Sequence, residues 1–377
     1  MNRAVIGVIA AVIVVALGGA ARAYPQFQLS RDQTCSGCHL SPAGGSLLSE
    51  NGFATAEAIS QFPDAPEFSY NKFKLPSWLA LGGDLRTIYG YMRAPQEYLV
   101  WFPMQLDAYA SAKLPSGFRV HLTVGYRPSE YGNEAATHVW SREHYVQWQL
   151  EPDTSEGLFV RVGRFMPVFG QRFVEHPYYS RRWGGTPLYY ETYGAAVEYV
   201  TNDFEVHATG FIRDPLIDPV GHDNGGALYA EVRPMAELAL GAEAMITVSP
   251  DDKKYRGGIT AKYYAKPAEL LLSAEGQVVN QHIETFGLTQ LVGQLVASKF
   301  VGNAIMIDLA LEHFDENIRI KSLDRDAIDL NVHWFIDSHT EAVLMGRVEL
   351  INQGRALAGN LGGPSGGYAL LQLHYRL

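Results

Sequence analysis

The chain has 377 residues, 30 Lys+Arg against 40 Asp+Glu for a formal net charge of −10, and only two cysteines. An acidic chain of this kind lacks the clustered Lys/Arg that phosphate contacts need, so no nucleic-acid partner is expected. Hydrophobic residues at 47% argue against disorder, and a mean hydropathy of −0.08 is too polar for a helical membrane protein.

Residues 1–23 carry a basic start (Arg3), an uncharged apolar run from Ala4 to about Ala20, and Ala21-Arg22-Ala23 as an A-x-A cleavage site. This pattern predicts a signal peptide, with a retained membrane anchor as the alternative. No later stretch approaches the ~18 continuous apolar residues of a transmembrane helix.

Residues 24–77 form the next unit and contain both cysteines, in Cys35-Ser36-Gly37-Cys38-His39. This is the C-x-x-C-H pattern of covalent c-type haem attachment. Two thiols three residues apart can each bond one vinyl group of the same porphyrin, and His39 then reaches the iron as proximal ligand. A thioredoxin-like redox pair would need a βαβ context, a zinc site would need further ligands nearby, and a simple disulfide staple is the third alternative. The sixth iron ligand is open. Between Tyr24 and Met92 there is no methionine and no histidine except His39. Three candidates remain: the α-amino group of Tyr24, a histidine from the rest of the chain, or an iron left five-coordinate. The Tyr-Pro-x-Phe start looks like that of cytochrome f, where the N-terminal tyrosine amine fills this role. A unit this small should need packing from elsewhere.

From residue 78 to 377 the hydrophobic pattern has period 2. In Phe118–Tyr126, Phe118, Val120, Leu122, Val124 and Tyr126 face one way while Arg119, His121 and Thr123 face the other. Strands are predicted at about 79–92, 100–113, 117–127, 139–150, 157–166, 192–200, 203–212, 226–233, 236–249, 255–265, 268–281, 285–298, 302–314, 325–335, 339–352 and 366–377. The eighth and twelfth carry the weakest patterns. Short connections such as 201–202 and 266–267 alternate with longer ones such as 128–138, 167–191 and 353–365. An even strand number with short turns at one end and long loops at the other predicts a transmembrane antiparallel β-barrel of about sixteen strands. A soluble sandwich is the alternative. The parity puts both ends of the barrel on the short-turn, periplasmic side.

A Cys-x-x-Cys-His segment directly preceding a barrel resembles the outer-membrane fused monohaem cytochrome–porin family known from iron-oxidising bacteria. The resemblance rests on Pro25-x-Phe27, Cys35 to His39 and the Gly-rich run after them, with no close match in the barrel. It implies an outer-membrane location and one covalent haem c. It also implies electron transfer from extracellular Fe(II) to a periplasmic c-type cytochrome, and with it an extracellular iron-oxidase activity.

One haem does not reach across a hydrocarbon core of ~30 Å, so the haem segment is expected to plug the lumen. Alternation predicts a polar lumen that includes Asp107, Arg161, Glu205, Asp308, Glu341 and Arg347. His121, His207, His333 and His374 then form the pool of alternative distal ligands. The long connection from Met166 to Glu191 either folds into the channel or faces outward as an aromatic belt. If it folds inward, Arg181 and Arg182 can pair with haem propionates. Asp214, Asp218 and Asp223 would place carboxylates at the outer rim. The rival reading is a haem-plugged porin acting as a gated channel, or as a sensor or peroxidase that needs an open iron position.

Overall fold

A computed structural model describes residues 25–45, 47–63, 75–93, 96–126, 139–187, 190–212, 224–320, 324–351 and 366–376. The expected signal peptide, Tyr24 and the rim carboxylates Asp214, Asp218 and Asp223 lie outside the described residues. The described residues form sixteen strands: β1 (Leu79–Arg93), β2 (Glu97–Lys113), β3 (Phe118–Tyr126), β4 (Val139–Gln149), β5 (Gly157–Phe165), β6 (Thr192–Val200), β7 (Phe204–Ile212), β8 (Asn224–Met235), β9 (Leu238–Val248), β10 (Asp252–Ala265), β11 (Leu270–Ile283), β12 (Phe286–Val301), β13 (Ile305–Asp315), β14 (Asp324–Phe335), β15 (Thr340–Ile351) and β16 (Gly367–Arg376). Each pairs antiparallel with its neighbours in sequence, and β1 closes on β16 from Asp84↔Arg376 to Arg93↔Gly367. Every expected strand is present, with ends shifted by no more than three residues. The two weakest, β8 and β12, are full members of the wall.

The wall has its apolar side outward. On β9, Leu240, Ala242, Ala244, Ile246 and Val248 are exposed or half-exposed while Glu243, Met245 and Thr247 are buried. On β3 the exposed set is Phe118, Val120 and Leu122, against buried His121 and Thr123. This alternation is the inverse of a water-soluble barrel and matches a hydrocarbon surround. Exposed aromatics gather at both strand ends: Tyr91, Tyr98, Trp101, Tyr255 and Phe286 toward the long loops, and Phe118, Tyr199, Tyr263, Trp334 and Tyr375 toward the short turns. Tyr255 and Tyr263 lie about 27 Å apart along β10 at ~3.4 Å per residue, close to the height of a lipid-facing band. Among the described residues no helix is long and apolar enough to cross a membrane.

Residues 25–63 pack against inward-facing side chains of this wall. They contain three short helices, α1 (Phe27–Ser30), α2 (Cys35–Cys38) and α3 (Glu50–Ile59). Phe27, Leu29, Leu48, Ala56 and Ile59 join one buried cluster with Ala239, Tyr264, Leu271, Phe300, Met306 and Phe335, near the short-turn ends of β9 to β14. Polar contacts fix the docking: Gln26 donates to Asp308 at 3.2 Å, Gln28 donates to Glu205 at 3.2 Å, and Lys262 donates to Gln28 at 2.7 Å. The segment leaves at the short-turn rim, where the Gln61 and Phe62 amides bond the carbonyls of Phe335 and Ile336. The connection from β5 to β6, over its described residues 166–187 and 190–191, also turns inward. Phe173, Tyr178 and Tyr179 are each at most 2% exposed, and the Gln171 amide donates to Glu275 at 2.9 Å. Of the two expectations for this connection, the inward fold is the observed one.

Candidate functional site

Local sequence explains how the cysteines are presented. Thr34 caps α2, its hydroxyl accepting from the Gly37 amide at 3.0 Å. The single turn brings Cys35 and Cys38, three residues apart, to one face, and the His39 amide closes it on the Cys35 carbonyl at 2.8 Å. Ser49 caps α3 and also donates to the Gly37 carbonyl at 2.8 Å, while Asn51 donates to the same carbonyl at 3.1 Å. α3 therefore lies directly on α2. Gly52 permits this approach, since a Cβ there would sit 2.0 Å from the Cys38 carbonyl oxygen. Gly44 and Gly45 turn the chain back with φ of +80° and +79°, a conformation open to glycine. A Cβ on Gly44 would point at the Cys35 sulfur, 3.8 Å away, and at the His39 ring, 3.9 Å away.

Cys35, Cys38 and His39 all border one cavity of about 340 Å³ in the barrel interior. The thiols are not bonded to each other. Burial pushes both thiols up from their ordinary pKa, the opposite of what activates a redox pair. Burial, with the Arg376 and Arg172 charges, pushes the His39 imidazole down to about 4. The ring is neutral at physiological pH, with a lone pair to offer a metal.

The rest of the cavity is basic. Seven arginines border it against four carboxylates, Asp84, Asp107, Glu143 and Glu191. Arg142 is committed to Asp107 and Glu191 at 2.6 Å each, Arg172 to Glu205 at 2.5 Å, and Arg161 to Glu198 at 2.7 Å. Arg86 and Arg181 make no ion pair among the described residues. The Arg86 Nε is buried without a hydrogen-bond partner. Arg181 donates to the Phe173 carbonyl at 2.8 Å and to His176 at 3.3 Å, and burial lowers it to about 10. Paired thiols, a neutral imidazole, a glycine cradle and surplus guanidinium groups together fit a covalently held metalloporphyrin with two acidic side chains.

The expected site residues divide. Cys35, Cys38, His39 and Arg181 border the cavity. Arg182 does not; its guanidinium lies over the Trp183 ring at 4.8 Å. None of the four expected distal histidines borders it either. Each is held in the wall by other side chains: His121 by Thr123 at 3.0 Å and the Tyr145 ring, His207 by Glu198 at 2.8 Å, His333 by Glu341 at 2.9 Å, and His374 by Asp84 at 2.5 Å. Arg182 and these four histidines therefore lie away from the border of the cysteine cavity. Met104, Met166 and His176 border the cavity instead.

Two bulges account for part of this. Arg86 pairs with Gln105 and Thr87 with Pro103, leaving Met104 unpaired and turned inward beside Gln105. Thr123 pairs with Glu143 and Val124 with Ser141, which does the same for Arg142. Each adds a side chain to the lumen out of phase with the period-2 pattern. Pro103 inside a strand was an available signal for the first. A run of four polar residues, Ser141-Arg142-Glu143-His144, was one for the second.

No family model matches the sequence, and no curated protein is similar to it. Solved structures are similar in fold. The outer-membrane expressed OmpT of Vibrio cholerae has 11% identity over 81% of this chain and 100% of that one, with a TM-score of 0.59. An anion-selective porin from Comamonas acidovorans has 15% identity over 79% and 99%, with a TM-score of 0.60. The outer membrane channel DcaP of Acinetobacter baumannii has 9% identity over 81% and 99%, with a TM-score of 0.55. The chain is a closed sixteen-stranded barrel of porin-like fold.

Proposed function

We propose that this protein is an exported outer-membrane electron conduit, in which a single haem c on residues 24–77 plugs a porin-like barrel. The observation that carries the reading is that both thiols and His39 border one basic cavity inside a lipid-facing barrel. A haem bound there would supply a one-electron Fe(II)/Fe(III) couple. Cys35 and Cys38 would hold it covalently, and His39 would offer its imidazole to the iron. Arg86 and Arg181 would pair with its carboxylates. Met104, Met166 and His176, which border the same cavity, would be the candidates for a second iron ligand.

Filling of the lumen favours electron passage over solute passage. Asp308 and Glu205 of the wall are fully buried, Asp308 bonded by Gln26 and Glu205 by Gln28 and Arg172 of the inward segments. An open channel would leave such groups wet. Aromatic rings extend from the cavity toward the long-loop end. Phe173 borders the cavity and meets Tyr178 at 5.5 Å; the adjoining Tyr179 meets Phe314 at 6.2 Å, and Phe314 stacks on Trp183 at 5.0 Å. This supports an extracellular donor, with Fe(II) as the candidate implied by the resemblance. At the short-turn end Asn51, Phe53 and Glu57 of α3 are exposed, and Asn51 lies 3.9 Å from the Cys38 sulfur. That face suits a periplasmic c-type cytochrome as acceptor.

The test is to express the protein with the haem-attachment machinery, count haem per chain, place it in liposomes and add Fe(II) outside. One haem per chain, with prompt appearance of a low-spin reduced spectrum, is expected. Absence of covalent haem overturns the proposal. Reduction by dithionite but not by external Fe(II) removes ferrous iron as donor, and a high-spin, ligand-binding iron favours the gated-channel, sensor or peroxidase alternative.

A further inference from the structure

A second group of side chains lies in the lumen outside the set that holds the cysteines. Glu175 comes from the inward connection, Asp308 from β13 and His333 from β14, and each offers one ligand atom within 4.8 Å of the others. All three are buried, at 6%, 0% and 2% exposure. The His333 Nδ1 is engaged by Glu341 Oε1 at 2.9 Å. Its Nε2 therefore faces the two acids, 3.4 Å from Asp308 Oδ2 and 3.8 Å from Glu175 Oε1. Two donors each about 2.1 Å from a tetrahedral metal ion lie about 3.4 Å apart, so this spacing is that of co-ligands. A carboxylate on the far ring nitrogen is the outer partner that fixes a metal-ligating imidazole.

An independent observation comes from residues 25–63. Gln26 is 1% exposed and donates its Nε2 to Asp308 Oδ2 at 3.2 Å, while its Oε1 has no hydrogen-bond partner. Glu175 Oε2 and Asp308 Oδ1 are likewise buried without partners. Three buried oxygens from three segments are thus left as acceptors with nothing to accept. Three carboxylates (Glu175, Asp308 and Glu341) surround one imidazole, so a full positive charge on the ring still leaves the group anionic. Buried, uncompensated carboxylates are costly, and a dication relieves this charge.

We infer that Glu175, Asp308 and His333 form a binding site for a first-row divalent cation of the Mn(II), Fe(II) or Zn(II) class, with Glu341 orienting His333 and open positions left beside Gln26. One imidazole with two carboxylates suits these ions better than Ca(II) or Mg(II), which take oxygen ligands alone. The site joins the inward connection to the wall. Because Glu175 stands between Val174 and His176, which both border the cysteine cavity, a bound cation would pin that cavity wall in place. The inference does not depend on the haem reading.

The test uses full-length protein in detergent, stripped of metal with EDTA and free of any affinity tag. Mn(II) is titrated in and the free ion counted by electron paramagnetic resonance. One Mn(II) per chain, displaced by Zn(II), is expected in haem-free and haem-loaded preparations alike. Glu175→Gln and Asp308→Asn should each weaken binding at least tenfold, and Glu341→Gln by about 10–100-fold. His313→Gln removes an exposed imidazole, paired with Asp326 at 2.9 Å, and should leave binding unchanged. Glu175 lies in a connection and not in a strand, so its variant keeps the test decisive if Asp308→Asn fails to fold. Failure of the wild type to bind one equivalent overturns the inference. So does a Glu175→Gln variant that binds as wild type, a loss caused by His313→Gln, or binding confined to haem-loaded protein.

Discussion

Gly52→Ala sets two physical effects of opposite sign against each other. Gly52 is in the first turn of α3, and replacing a helical glycine by alanine ordinarily stabilises by up to about 1 kcal/mol. Here the new Cβ would lie 2.0 Å from the Cys38 carbonyl oxygen and 2.9 Å from its carbon. Ordinary contact is about 3.4 Å or more, so α2 and α3 must separate by roughly 1.4 Å, at the typical overpacking cost of about 1–3 kcal/mol. Backbone cannot swing aside as a side-chain end can, and Ser49 and Asn51 tie the same two helices through Gly37. A net loss of about 1–2 kcal/mol raises the population of the opened segment roughly 5- to 30-fold. Hydrogen exchange read by mass spectrometry should show peptides covering 35–60 exchanging faster by that factor, with β-strand peptides unchanged. Haem per chain should fall in parallel. Exchange equal to or slower than wild type would refute the close approach of α2 and α3.

Phe27→Ala removes a ring 3% exposed, 5.5 Å from Phe300 and 6.3 Å from Phe335. It should cost about 3–5 kcal/mol of docking, seen as protease cleavage within 25–63 and as raised conductance in planar bilayers while the barrel stays intact. Arg172→Met leaves the buried Glu205 with Arg233 at 3.6 Å as its remaining arginine, and should cost about 3 kcal/mol or more in denaturant unfolding. Arg182→Met should change stability by less than about 1 kcal/mol, since its observed contact is a stack on Trp183. In the haem-free chain His39 takes up a proton near pH 6.5 when the segment is undocked but only near pH 4 when docked. Docking should therefore weaken as pH falls between those values, and His39→Ala should flatten that dependence in the same exchange assay. If the iron is six-coordinate, one of Met104→Leu, Met166→Leu or His176→Leu should convert a low-spin ferric spectrum to high-spin, while His121→Gln leaves it unchanged.

Much of the architecture is legible in the linear pattern because a barrel wall meets two different solvents. Apolar and polar residues alternate along each strand, so Leu240 and Ile246 separate from Glu243 and Thr247 without knowledge of any neighbour. Turn lengths then set strand number and the end at which the chain enters. Cys35 to His39 are close in sequence, so one capped helical turn brings them together by local geometry alone. The composition of the cavity is different in kind. Met104 and Arg142 enter through bulges that break the two-residue phase, and Arg172, His176 and Arg181 arrive on a connection whose inward course depends on partners such as Glu275, Glu312 and Asn331. The four wall histidines are inward as the alternation requires, yet their ring nitrogens or ring faces are engaged by Glu198, Glu341, Asp84, Thr123 and Tyr145. Which inward group meets which is set by strand register and by contacts across the lumen, between residues far apart in the chain. Period, capping and spacing carry local information, and they hold none about those long-range pairings.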